Sequence, residues 1–325
     1  MKRNKLAPYI SSGETVTYIR LDLLFALIPL IVISVVQNGL RVLVMCVLAA
    51  AASAVTELLS HLVGKKRNDI MRAATLGLCL TLLCPVTVPV WLPAAGSAFA
   101  VLFVRVILVG DFRTLFMHPA IGWLFMLTVW PSYMMTYPKA SGFNAFPIFA
   151  DVKGFESSWS IARCLQFGIK PETRMLDVLF GRYPGGLGTT CIFAILAITV
   201  FFLIRKSIAW QVSLSMMATV SVFALFVNRA GVSPLYSVVY ELCAANLIYV
   251  AIFIAGDLVN APKLPVARVL FGILIGVFTM LLRYFGMFEH CVVIALIFAN
   301  LFSGGMDRIA VAIRGKRAKR FDMYG

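Results

Sequence analysis

Residues 235–257 read LYSVVYELCAANLIYVAIFIAGD, and Pro262 and Pro265 lead from them into another apolar run over 264–284. The first run is long enough to cross the roughly 30 Å of bilayer hydrocarbon, which takes roughly 20 mostly apolar residues. It carries one acid within it, Glu241, and another, Asp257, at its end. The same order of apolar helix, proline-punctuated break and apolar helix occurs earlier. There Ala73-Ala74-Thr75-Leu76-Gly77-Leu78 precedes Cys84-Pro85, Pro89 and a second long apolar run.

Outward from these two breaks, ten apolar stretches of spanning length cover 20–37, 39–62, 70–85, 87–109, 116–136, 188–205, 207–228, 235–257, 264–284 and 287–306. Of the 325 residues 61% are hydrophobic and 13% charged, against roughly 25% charged in soluble domains. The fold class is therefore an all-α polytopic membrane protein. Five spans precede and five follow a polar segment, and an odd count per half inserts the second half from the opposite side. This is a 5+5 inverted repeat with broken helices, an architecture that places its site near the midplane between the repeats.

A net charge of +15 would suggest nucleic acid in a soluble chain. Here the basic residues fall in alternate short loops: Lys2, Arg3, Lys5 and Arg20; Lys65, Lys66, Arg67 and Arg72; Arg205 and Lys206; Lys263 and Arg268; and Arg308 to Arg320. The other short loops hold Arg41, Arg229 and Arg283. Positive charge marks the cytoplasmic side, so both termini are expected in the cytoplasm of a cell whose inner membrane holds the chain. Arg105 reads as snorkelling to the interface. The first run lacks a small-residue cleavage site and stays as the first helix.

The chain thus divides into a cytoplasmic segment 1–19, a first repeat 20–136, an extracytoplasmic segment 137–187, a second repeat 188–306 and a basic cytoplasmic tail 307–325. The outer segment holds Phe143, Phe146, Phe149, Phe155, Trp159 and Phe167, too aromatic for a disordered linker. It predicts a compact cap with a short helix near 157–168 and a turn at Pro184-Gly185-Gly186-Leu187-Gly188.

Charges inside spans are costly and face a cavity or a partner. Asp22, Glu57, Glu241 and Asp257 qualify as ion-pathway residues, and Asp257 lies at broken backbone, where a carboxylate and freed carbonyls suit a hard cation. Asp22 also fits a plain N-terminal helix charge. The seven cysteines contain no Cys-x-x-Cys, and six of them sit in or beside spans as small packing residues. His61, His118 and His290 share no ligand spacing, so no metal set is read. No phosphate loop, dinucleotide fingerprint or catalytic triad is present.

Several phrases carry a resemblance: Pro8-Tyr9-Ile10-Ser11, Leu21-Asp22-Leu23-Leu24, Ala26-Leu27-Ile28-Pro29, Thr75 through Pro85, Pro119-Ala120, the glycine turn at 184–188, Arg205-Lys206 with Trp210, Ala255-Gly256-Asp257 with Pro262, Arg283-Tyr284-Phe285-Gly286, and Asn300 to Asp307. In this order and spacing the chain resembles the D subunit of Rnf-type electron-transport complexes, a family that includes the B subunit of the Na⁺-translocating NADH:quinone reductase. The resemblance implies ten helices, bound flavin, electron transfer coupled to Na⁺ or H⁺ movement, and partner subunits of which one bears flavin. It also implies an FMN joined by phosphoester to a threonine of a Ser/Thr-Gly-Ala-Thr motif, and a non-covalent riboflavin.

This sequence departs from that pattern. The nearest equivalent of the motif is Ser157-Ser158-Trp159-Ser160-Ile161-Ala162, with Ser160 at the acceptor position and a bulky indole beside it. Thr189 stands where the family usually has Glu, Asn246 lies in a usually glycine-rich stretch, and His118-Pro119 replaces an Asn-Pro pair. The flavin-facing residues are then Ser157, Ser160, Gly185, Gly186, Gly188 and Thr189. Two other functions stay open: a non-redox solute conduit with the inverted fold of urea transporters, and a scaffold that retains subunit contacts without flavin.

Overall fold

The structure, a computed structural model, describes residues 16–64, 69–104, 118–139, 146–148, 157–171, 173–227, 229, 231, 233–285 and 290–321. The motif at 8–11, Lys65 to Arg67, Arg105, Phe143, Phe149, Phe155 and Gly286 lie outside these residues, as do the side chains of His61, His118 and Ser157.

Helices α1 (Val16–Asn38) and α2 (Arg41–Gly64) are joined by a tight turn. Gly39 takes φ 84 there and its N–H returns to Val35 O at 2.8 Å, the left-handed closure that glycine favours. Helix α3 (Ile70–Leu83) stops where Pro85 holds Cys84 in extended backbone, φ −76 and ψ 151. The chain runs on irregularly to α4 (Leu92–Leu102), which carries Pro93 in its first turn, where a missing N–H leaves no bond unmade. Helices α5 (His118–Val129) and α6 (Pro131–Met134) come next.

The segment between the two halves contains a two-residue antiparallel ladder, β1 (Tyr137–Pro138) on β2 (Ser157–Ser158), in register Tyr137 to Ser158. It continues in α7 (Ile161–Gln166) and α8 (Met175–Leu179). The helix expected over 157–168 is thus shorter, because 157–158 pair as strand and Ser160 caps the helix from Ile161 onward.

The second half comprises α9 (Ile192–Arg205), α10 (Trp210–Phe226), α11 (Pro234–Cys243), α12 (Leu247–Tyr249) with a π-helical turn over Val250–Ile254, α13 (Pro265–Phe285), α14 (Cys291–Leu301) and α15 (Ser303–Phe321). Among the described residues the regular structure is otherwise helical, with one isolated bridge between Ile208 and Asp257. Four helical stretches are long and apolar enough to cross a membrane: Tyr18–Asn38, Arg41–Ser60, Pro234–Ile254 and Pro265–Phe285. Helices α14 and α15 pass together as a fifth, bent by 58°. Helices α3, α4, α5, α9 and α10 are apolar but shorter. The chain is an all-α membrane protein.

Close helix approach shapes both halves. A Cβ on Gly272 of α13 would lie 2.4 Å from Val212 O of α10, and one on Gly276 would lie 2.7 Å from Thr219 Cβ. Small residues bring helices together where the hydrophobic effect does not. In the first half Ser97 of α4 donates to Ala49 O of α2 at 3.0 Å. The halves meet where α1 packs on α9 and α5 on α14. Large apolar side chains such as Phe25, Val32, Val47, Phe193 and Leu214 point outward, as a lipid solvent allows.

The break between α11 and α12 is local. Ala245 (φ 54) and Asn246 (φ 61) are both left-handed. That conformation crowds a Cβ by about 1–2 kcal/mol. Ala245→Gly is therefore expected to raise stability by about 0.5–1 kcal/mol, the relief of crowding outweighing the added chain entropy. Thermal unfolding in detergent measures this, and a lowered midpoint would contradict it.

Candidate functional site

Past the π-helical turn the chain passes through Ala255 and Gly256 to Asp257 before α13 begins. The Asp257 carboxylate accepts from the Val259 N–H at 3.0 Å and from Asn260 Nδ2 at 2.7 Å. Its backbone lies against the link between α9 and α10: Ile208 bridges Asp257, and the Ala209 N–H donates to Gly256 O at 2.8 Å. Two adjoining cavities of about 60 Å³ each reach the half-buried Asp257. They share Leu23, Arg72, Thr75, Phe253, Asp257 and Asn260. The walls therefore come from α1 and α3 of one half and from the interrupted segment of the other. Asn260 Oδ1 is buried there with no hydrogen-bond partner.

Charge gathers around this space. Arg20 pairs with Asp69, and Glu57, 6% exposed, accepts from the Asp69 N–H at 3.2 Å. Arg72 lies within electrostatic reach of Asp257, Asp69, Glu57 and Arg20. Arg72 thus links the Asp257 carboxylate to the Glu57, Asp69 and Arg20 group.

The four acids singled out from sequence do not form one site. Asp257 and Glu57 belong to this cluster. Asp22 lies beside it, engaged by Arg205 and Ser207. Glu241 lies at the far end of α13, about 30 Å of helix away, in a buried group of its own. Arg283 Nη1 reaches Glu241 Oε2 at 2.6 Å and Arg229 Nη2 reaches Oε1 at 2.7 Å. Arg283 also donates to the carbonyls of Glu241 and Ala244, so an arginine satisfies backbone freed at the α11 break.

All three arginines of the sparsely charged loops are drawn inward. Arg41, 2% exposed, donates to Pro147 O at 2.8 Å and Val88 O at 2.9 Å, tying the segment between the halves to the irregular run after α3. Arg229 spans Glu241, Arg283 O and the Tyr284 ring.

The glycine turn does more than reverse the chain. Its Leu187 and Gly188 N–H groups donate to Cys84 O (2.9 Å) and Leu82 O (2.8 Å). Thr189 Oγ1 donates to Asn246 Oδ1 at 2.7 Å, and Asn246 Nδ2 to Leu83 O at 3.4 Å. Gly186 cannot carry a Cβ, which would lie 2.8 Å from Leu83 O. Leu187, Gly188 and Thr189 therefore join the two helix breaks, with Gly186 packed against Leu83. Gly185 and Gly186 also line a cavity of about 50 Å³ with Gln37, Asn38, Lys139 and Tyr183.

Ser160, 6% exposed, is the N-cap of α7, and its Oγ accepts from the Arg163 N–H at 3.2 Å. Trp159 beside it is exposed, packs at a tilt of 37° against Phe167 with centroids 5.2 Å apart and carries the Arg163 guanidinium 5.5 Å from its ring centroid. A groove of about 360 Å³ lies between Ser158, Trp159, Cys164, Lys170, Thr173 and Pro184. Thr173 Oγ1 is buried with no hydrogen-bond partner. Among the described residues no disulfide joins any of the seven cysteines.

Sequence reasoning missed Arg72, Asp69 and Asn260 as site residues. Arg72 carried a signal read only as topology, a basic residue in a loop. Asn260, three residues past Asp257, sat at the spacing of a local turn partner.

The profile described as the NQR2, RnfD, RnfE family matches residues 3–314. The B subunit of the Na(+)-translocating NADH-quinone reductase of Chromohalobacter salexigens is 27% identical over 250 residues, 74% of this chain. The match spans 58% of that relative, less than two thirds of its length. The D subunit of the proton-translocating ferredoxin:NAD(+) oxidoreductase complex of Clostridium ljungdahlii is 25% identical over 95% of this chain and 94% of its own. The D subunit of the Na(+)-translocating ferredoxin:NAD(+) oxidoreductase complex of Acetobacterium woodii is 22% identical over 93% and 91%. A profile match over nearly the whole chain, with relatives collinear from end to end, places this protein in the NQR2, RnfD, RnfE family.

Proposed function

We propose that this chain is a membrane subunit of an Rnf- or NQR-like ion-translocating oxidoreductase complex, with Na⁺ or H⁺ passing through the space around Asp257. The carrying observation is that Asp257 lies at interrupted backbone, in cavities walled by both halves, with the guanidinium groups of Arg72 and Arg20 within electrostatic reach. The relatives' names speak of ion translocation, which disfavours a solute conduit. The test is ion-dependent turnover of the complex carrying Asp257→Asn.

Ten spans in a 5+5 inverted repeat belong to this reading. Four long helices, one bent pair and five shorter apolar helices make ten segments. Their neighbours repeat: α2 packs on α3 and α4 as α10 packs on α11 and α13, and α4 meets α5 as α13 meets α14. On this reading the termini lie in the cytoplasm of an inner-membrane protein, and 137–187 faces out.

The residues at Ser160 do not fit a phosphoester flavin: the hydroxyl caps α7, the residue is buried, and the indole of Trp159 adjoins it. A loosely held riboflavin or FMN fits the 360 Å³ groove better, with the Trp159 face for the ring, the Thr173 hydroxyl for a ring oxygen or ribityl group, and Lys170 for a phosphate. A flavin there would supply one-electron exchange with a flavin-bearing partner subunit. Acid-denatured chain is expected to release any flavin and to leave no fluorescent band on a denaturing gel. A band that stays fluorescent in the wild type and goes dark in Ser160→Ala would reverse this assignment.

A further inference from the structure

We infer that Asp22 is a positioning residue that sets the backbone of Asp257 from the opposite half of the molecule, an assignment that rests on the proposed ion role of Asp257. Asp22 is 7% exposed, near the start of α1, and lines neither of the cavities at Asp257. Its oxygens are already engaged. Arg205 Nε lies 3.3 Å from Oδ1 and 3.2 Å from Oδ2, Arg205 Nη2 lies 3.0 Å from Oδ1, and Ser207 Oγ donates to Oδ2. An acid so held is unsuited to passing ions and suited to holding a chain segment still.

The segment it holds is the one that meets Asp257. Arg205 ends α9, Lys206 turns the chain at φ 55, and Ser207 leads into Ile208 and Ala209. Ile208 bridges Asp257 and the Ala209 N–H binds Gly256 O. One carboxylate of the first half therefore registers residues 205–209, and these register 256–257. Ser207 and Ile208 line one cavity with Asp257, and Leu23, the next residue after Asp22, lines both. A shift of α1 against α9 is transmitted to Asp257 through Ser207 and Ile208. Arg205, half exposed at 49%, contributes less fixed geometry than the buried Ser207 hydroxyl.

The test reads the Asp257 carboxyl directly, in the full chain within its isolated complex. Dicyclohexylcarbodiimide modifies protonated, ion-free carboxyl groups in membranes, and peptide mass spectrometry quantifies modification at Asp257. Labelling is titrated with Na⁺ and, separately, with pH. The wild type is expected to show a protection midpoint in one of the two titrations. Asp22→Asn and Ser207→Ala are each expected to shift it about five- to tenfold in Na⁺, or by about one pH unit, since each removes a hydrogen bond to or from a charged group. Asp22→Glu, which keeps the charge, is expected to fall between. A wild-type midpoint that neither Asp22→Asn nor Ser207→Ala moves overturns the positioning role and leaves Asp257 its own. A wild type with no midpoint in either titration removes the ion role of Asp257, and the positioning role with it.

Discussion

Asp257→Asn is expected to lower ion-dependent turnover of the complex by a hundredfold or more while the complex still assembles. A carboxylate and a monovalent cation about 4 Å apart attract by about 4 kcal/mol at an effective dielectric near 20, and tenfold corresponds to about 1.4 kcal/mol. The amide keeps size and can still accept from the Val259 N–H, so the local turn should survive. What disappears is the negative charge opposite Arg72 and Arg20. Ion uptake into vesicles, driven by the complex's own electron donor, gives the direct measure. Uptake at wild-type rate in the variant would remove Asp257 from the ion path and leave the family assignment untouched.

Glu241→Ala is expected to lose about 3–5 kcal/mol of stability, because it strands two guanidinium groups in a buried place. Arg283 is 4% exposed at its side chain and Glu241 1%. The damage would spread along the chain. Arg283 binds Ala244 O, next to the left-handed Ala245 and Asn246. Asn246 in turn meets Thr189 and Leu83. The expected result is a chain that is recovered in low yield and unfolds early in detergent, before any question of turnover. Replacing all three charges together with apolar residues should restore much of the loss, since a buried ion group adds little net stability over well-packed apolar side chains. A thermal midpoint equal to wild type in Glu241→Ala would show that the fold does not depend on the group.

Much of the architecture was legible in composition and punctuation. Cys84-Pro85 ends α3 because the residue before proline avoids helical backbone, and Pro265 opens α13 after the interruption at Asp257. The break at 244–246 carried no such mark, since no proline or glycine stands there and Ala245 takes the left-handed turn itself. The glycine turn at 184–188 was legible as a turn, but its bonding to Leu82 and Cys84 was not. The short ladder at 137–138 and 157–158 carried no strand signal, because two residues are too few for a period. Ser160 held both meanings at once: the position of a flavin acceptor by resemblance and a helix cap by its place before Ile161.

Hydropathy and proline placement alone determined that this protein is a helical membrane chain, where prolines interrupt it, and which acids sit expensively within it. Those properties are local, since each span must satisfy its own backbone in lipid. The tertiary structure alone decided what each acid does. Asp22 meets a partner 183 positions away, Glu241 meets one 42 away, and Arg72 faces Asp257 across the junction of the halves. Such pairings depend on how two bundles dock, and no periodicity within either bundle encodes the register between them.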